Sequence, residues 1–186
     1  MTSPRILPQA LLVAMALSAA ACAGGSPATG PGATAGGGKG DCSHGLCGQP
    51  APDFSVNVTS NGTGKASLAS LKGKVVVVDF WATWCEPCKK SFPKLQELNV
   101  KYKASGLEIV GISEDDENGG VAEFGKNYGA KFPLAWDQGK QVASKYDPKT
   151  MPTSFIIDRK GIVRFVYMGY HSEDDAKFEA NLKSLL

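Results

Sequence analysis

Two cysteines stand three apart in the segment Phe80-Trp81-Ala82-Thr83-Trp84-Cys85-Glu86-Pro87-Cys88-Lys89-Lys90, a spacing that suits thiol-disulfide chemistry. The run Lys74-Val75-Val76-Val77-Val78-Asp79-Phe80-Trp81 in front of them is β-branched and apolar, as a doubly covered parallel strand requires. Behind them Phe92, Leu95, Leu98 and Tyr102 recur at helical spacings, so a helix is predicted to begin near Cys85. The first thiol then sits at a helix N-terminus, where unpaired N–H groups and the positive end of the dipole favour thiolate. The second lies one turn inside, within reach of a mixed disulfide formed by the first. Pro87 falls in the first helical turn, where its missing N–H costs little. The expected chemistry is attack by Cys85 on a disulfide and resolution by Cys88; reversed, the same steps oxidise a dithiol. The alternatives are an inert staple or half of a zinc site. Zinc generally takes four ligands, and the others on offer, Cys42, Cys47, His44 and His171, are all distant in sequence. No metal and no bound organic cofactor are therefore expected.

Cys42-Ser43-His44-Gly45-Leu46-Cys47 offers a second pair of thiols. Three readings stand open: a disulfide loop closing the segment before the domain, a dithiol relaying electrons to Cys85 and Cys88, and a copper site using His44 with both thiols. Glu86, between the redox cysteines, would disfavour a thiolate if its charge lay close, and less if it points into solvent.

The elements needed to hold this site follow from the rest of the chain. Asp53 to Val56 and Ala66 to Leu68 suit an edge hairpin; Leu107 to Ile112 reads as a second apolar strand, Val121 to Tyr128 as a short helix, Phe132 to Trp136 as a strand and Gln141 to Tyr146 as a helical turn or two. Thr153–Asp158 and Ile162–Tyr167 flank the turn Arg159-Lys160-Gly161 as a hairpin, and Ser172 with Asp175 reads as a capping box opening a last helix. This order gives an α/β fold with a mixed central sheet flanked by helices.

The first fifty residues differ in kind. Arg5 precedes an apolar stretch from about Ala10 to Ala21 that is too short to span a bilayer comfortably and ends in small residues, as a secretory leader does. Leu17-Ser18-Ala19-Ala20-Ala21-Cys22 resembles a bacterial lipobox, which makes residues 1–21 the signal and Cys22 the lipid attachment point, although Ala19 stands where such motifs usually carry Leu. Ordinary cleavage without lipid is the alternative. Residues 22–48 are expected as a flexible tether carrying the Cys42/Cys47 loop, and 49–186 as one domain; residues 23 to 41 hold eight glycines and no large apolar side chain. The 20 basic and 18 acidic side chains nearly cancel and form no long run of like charge, which argues against nucleic acid as a partner. The chain is expected to be exported, anchored to a membrane through its N-terminus, monomeric, and in a compartment that permits disulfides.

The segment Asp79-Phe80-Trp81-Ala82-Thr83-Trp84-Cys85-Glu86-Pro87-Cys88 resembles the active-site signature of the thioredoxin fold, in particular the TlpA/ResA-like thiol-disulfide oxidoreductases of the redoxin (AhpC/TSA-related) superfamily. The likeness extends to Gly48-Gln49-Pro50-Ala51-Pro52-Asp53-Phe54 as the opening strand of an N-terminal hairpin extension, Pro93 as a helix kink, and Met151-Pro152-Thr153 as a substrate-facing cis-proline loop. It implies a protein-disulfide reductase acting on disulfide-containing envelope proteins and recharged by a thiol reductant in the membrane. It implies also that Asp79, with its pKa raised, accepts the Cys88 proton, while Trp84, Glu86, Pro87, Met151 and Pro152 shape the site. The opposing expectation for Asp79 is a solvated carboxylate near the sheet end. Many ResA-like chains carry Glu three residues after the second cysteine, where Ser91 stands here. A peroxiredoxin-like thiol peroxidase and a copper-binding assembly factor are the rival functions; the peroxidase's proline-threonine-cysteine arrangement is not matched.

Overall fold

The computed structural model describes residues 42–186. The expected leader, Cys22 and the Gly-rich segment to residue 41 lie outside the described residues. Strand β1 (Ser55–Ser60) and β2 (Lys65–Ser67) form the expected hairpin. Then come β3 (Val75–Trp81), α1 (Glu86–Tyr102), β4 (Leu107–Ser113), α2 (Val121–Asn127), β5 (Leu134–Trp136) and α3 (Ala143–Tyr146). The hairpin β6 (Thr153–Ile157) and β7 (Val163–Met168) and the helix α4 (Asp175–Lys183) complete the chain. The sheet has seven strands in the order β2-β1-β5-β4-β3-β6-β7. It is mixed: β3 is parallel to β4 and antiparallel to β6, and β4 is parallel to β5.

Strand β3 is central because all seven of its residues are buried. Side chains alternate across a strand, so Val75, Val77 and Trp81 face one core with Phe92, Leu95 and Leu98 of α1, Phe124 of α2 and Leu182 of α4. Val76, Val78 and Phe80 face the other, with Phe54, Val56, Tyr146 and Phe155. Both faces are covered, as the unbroken valine run demands. Among the described residues no helix is long and apolar enough to cross a membrane.

Strand β3 runs past Asp79 to Trp81, with Phe80 and Trp81 paired to Ile112 and Ser113 of β4. Pro93 lies inside α1. Two details differ from the sequence reading. The capping box at Ser172 is not formed; residues Ser172–Asp174 wind as a 3-10 turn, α4 starts at Asp175, and neither cap residue, His171 or Asp174, accepts a side-chain bond. Residues 42–48 are docked on the sheet: the Gly48 N–H donates to the Val163 carbonyl at 2.8 Å, and Cys42, Leu46 and Cys47 pack against the core behind β6.

Gly111, in the middle of β4, lets Trp81 and Leu134 close over the strand. A Cβ there would come within 2.8 Å of Leu134 Cδ2 and 3.1 Å of the Trp81 Nε1. Gly111→Ala is therefore expected to lower stability by about 1–3 kcal/mol through overpacking. Urea unfolding would show it as a lower midpoint at unchanged slope; an unchanged midpoint would mean that this corner is loose.

Candidate active site

Cys85 is the N-cap of α1, and its Sγ accepts the Cys88 backbone N–H at 3.2 Å. The two cysteines are joined as a disulfide. Both are buried in this state, Cys85 at 3% exposure. Pro87 occupies the first turn, as its fixed φ favours. Glu86 points outward and pairs with Lys89 on the same helix, so its charge is spent at the surface rather than on the cysteines. Trp84 is 68% exposed, a large apolar surface directly before Cys85.

The turn that presents these residues is pinned from a neighbouring strand end. Asp115, just beyond β4, accepts the Thr83 N–H at 3.0 and 3.1 Å and the Thr83 hydroxyl at 2.7 Å. Its own carboxyl is fixed by the Ser113 hydroxyl at 2.7 Å, and its carbonyl receives the Trp136 indole N–H at 2.8 Å. The loop from strand to thiol is thus set by β4 and β5 as well as by its own sequence. Asp115 was not singled out from the sequence; the available signal was a polar cluster at the carboxyl end of a buried parallel strand, where α/β proteins build sites.

Asp79 lies on the α1-facing side of β3 by strand alternation and is fully buried. One oxygen accepts the Ser154 hydroxyl at 2.5 Å, and the other has no hydrogen-bond partner. Burial pushes the Asp79 pKa up to about 7, partly offset by Ser154. The solvated alternative for Asp79 is overturned. Ser154 reaches it because β6 pairs with β3 in the register Asp79 to Ser154. Ser154 also lines a cavity of about 50 Å³ with Ser91, Pro152, Tyr170 and His171, and this cavity lies between α1 and the end of β7. The Ser91 hydroxyl is turned back onto the Cys88 carbonyl at 3.2 Å.

The Met151–Pro152 peptide is cis. It sits beside the end of β3, since Thr153 pairs with Phe80, and Met151 packs on the core that holds Cys85 and Cys88. The Pro152 carbonyl accepts the Gly169 N–H at 2.7 Å. A second buried acid, Glu114, donates its backbone N–H to the Trp81 carbonyl at 2.8 Å and leaves Oε1 without a hydrogen-bond partner. Its pKa is pushed up to about 8 by burial and then by Asp137. The sequence reading passed over Glu114 because nothing local marks an exposed-type residue as buried.

Cys42 and Cys47 form a second disulfide. They pack with the core on the far face of the sheet from Cys85 and Cys88, so the two pairs are not brought together. His44 is engaged by the protein itself, and His171 lines the cavity on the opposite face. Among the described residues no three His, Cys, Asp or Glu side chains gather as a metal site.

The AhpC/TSA family model matches residues 47–166. The chain is 39% identical over 138 residues to the thiol-disulfide oxidoreductase ResA of Bacillus thuringiensis (strain Al Hakam), covering 74% of this chain and 78% of that relative. It is 40% identical over 126 residues to ResA of Bacillus subtilis (strain 168), covering 68% and 69%. A solved structure from Chlorobium tepidum, assigned as a thiol:disulfide interchange protein DsbE, aligns with a TM-score of 0.71 at 36% identity over 75% of this chain and 96% of the other.

The buried Asp79 has a consequence for stability. With its pKa raised from 3.8 to about 7, the folded state keeps a proton that the unfolded chain releases, so stability is lost as pH rises through that window. Asn carries no such cost. Asp79→Asn is expected to match wild type near pH 4 and to gain stability up to about pH 7, by about 2–4 kcal/mol at the plateau. Urea unfolding with both disulfides intact checks this, and a difference that does not change with pH would show that Asp79 holds no proton at neutrality.

Proposed function

The chain belongs to the AhpC/TSA family and has a thioredoxin-like fold, and on that premise we propose that this thiol-disulfide oxidoreductase reduces protein disulfides outside the cytoplasm through Cys85 and Cys88. The observation that carries the reading is the Cys85–Cys88 disulfide at the cap of α1, with the Cys88 N–H already directed at the Cys85 sulfur. After reduction the same N–H would meet a thiolate, which a helix N-terminus favours.

The Cys85 thiolate attacks one sulfur of a substrate disulfide, forms a mixed disulfide and expels the other substrate thiolate. The Cys88 thiolate then attacks Cys85 Sγ, closes the Cys85–Cys88 disulfide and releases the second substrate thiolate. Two electrons pass to the substrate, whose thiolates take up protons. Asp79, held near neutral pKa by burial, receives the Cys88 proton on the oxygen that Ser154 leaves unbonded. Trp84, Pro87, Met151 and Pro152 form the surface that a substrate meets. The oxidised form is recharged by a dithiol reductant in the membrane, and no organic cofactor takes part.

The second disulfide, Cys42–Cys47, supports an oxidising compartment, and the leader with its lipobox-like end supports export with Cys22 as a lipid anchor. Envelope proteins bearing disulfides are then the substrates, and the chain acts as a monomer.

Two measurements test the reading. Reduced Cys88→Ser should accumulate a mixed disulfide with insulin on a non-reducing gel, and Cys85→Ser should not; the reverse pattern would exchange the two roles. The equilibrium potential of the pair should lie near roughly −270 mV, whereas a value near roughly −120 mV would make the protein an oxidant of thiols.

A further inference from the structure

Building on the disulfide-reductase reading, we infer that the Cys42–Cys47 loop braces the substrate-facing segment 147–152, with His44 as the positioning residue and the disulfide as the clamp that holds His44 in place.

The loop is closed on itself and fastened to the sheet. Cys42 and Cys47 are bonded, the Cys47 N–H donates to the His44 carbonyl at 3.0 Å, and the Gln49 N–H donates to the Leu46 carbonyl at 2.9 Å. Gly48 and Gln49 exchange backbone bonds with Val163 of β7 at 2.8 and 3.0 Å. From this loop the His44 side chain extends to α3 and β6.

Its ring meets both ends of the connection between those elements. The edge of the ring stands against Phe155 of β6, with centroids 5.1 Å apart and planes at 89°. Nε2 lies 3.2 Å from the Asp147 carbonyl, and Nδ1 lies 3.2 Å from the Leu46 N–H. A carbonyl only accepts and a backbone N–H only donates, so both contacts select one neutral tautomer, with the proton on Nε2. Asp147 closes α3 in a left-handed conformation, φ +53°. From there the chain runs through Pro148, Lys149, Thr150 and Met151 to the cis peptide of Pro152 and into β6. Within this stretch the Thr153 hydroxyl donates to the Thr150 carbonyl at 2.6 Å.

His44 therefore ties the start of the connection to the strand that follows it, beside Tyr146, whose ring packs on the same Phe155 at 5.1 Å. Substrate pairing beside Cys85 depends on where Met151 and Pro152 stand, and that position is set in part from the far side of the sheet. The two disulfides act differently: Cys85–Cys88 exchanges electrons, and Cys42–Cys47 holds geometry.

The test uses the full chain and two variants, Cys42→Ser with Cys47→Ser, and His44→Phe, which keeps a ring against Phe155 but cannot donate to Asp147. In both, KM for insulin is expected to rise by about three- to tenfold with kcat little changed, the size of one lost hydrogen bond. Reduction of glutathione disulfide, which needs no extended strand beside Pro152, and alkylation of Cys85 by iodoacetamide should match wild type. Amide hydrogen exchange at residues 147–152 should quicken in both variants. A lower melting temperature with unchanged KM and unchanged exchange would overturn the brace and leave a plain staple. If the double cysteine variant does not fold, His44→Phe decides alone. Wild-type protein that fails to reduce insulin, with exchange still quickened in the variants, would remove the reductase reading and leave the brace standing.

Discussion

The site depends first on the complete burial of β3. Seven consecutive residues are withdrawn from water, and one of them is a carboxyl. Such a strand can exist only with helices on one face and the β1–β2 hairpin, α3 and the loop 42–47 closing the other, because its valines need cover on both sides. The same cover removes water from Asp79 and so raises its pKa to about 7. The chemistry at Cys85 and Cys88 is therefore inseparable from the packing that stabilises the domain.

At the end of that strand the chain must turn at once into α1, and Cys85 takes the cap. A cap side chain ordinarily satisfies one of the orphan N–H groups of the first turn. Here a sulfur does so, which couples helix capping to redox state. The Cys85 N–H closes the turn on the Ala82 carbonyl at 3.1 Å, and Asp115 adds bonds to Thr83 from just beyond β4. Glu114 beside it is a second buried acid with a raised pKa, so two protonatable groups flank the root of the active-site loop from different strands. Folding carries the desolvation cost of both as pH rises, a pattern common where function rather than stability has fixed the residues.

The N-terminal loop changes the account of where the domain begins. Composition groups residues 42–48 with the Gly-rich segment before them, and the structure groups them with the sheet. Leu46 and the two half-cystines give the loop enough apolar surface to dock, and the disulfide lowers the entropy lost in ordering it.

Much of this was legible in the sequence. The valine run, the helical period after Cys88 and the Cys-x-x-Cys spacing are local patterns, and local patterns fix which residue types stand at a strand end or helix start. The hairpin 153–167 and the positions of Cys85, Cys88 and Pro87 follow from such signals alone. The partners that give those residues their properties are not local. Ser154 lies 75 positions from Asp79, Asp115 lies 32 from Thr83, and Asp147 lies 103 from His44. Each pairing is set by strand order and register, which depend on how distant apolar faces find one another. The reactive pair and the elements that carry it can be read from local pattern. That Asp79 is dry, that Asp115 ties down the loop and that His44 reaches across α3 to β6 emerges once the sheet closes, because burial and register belong to the closed sheet and not to any one segment.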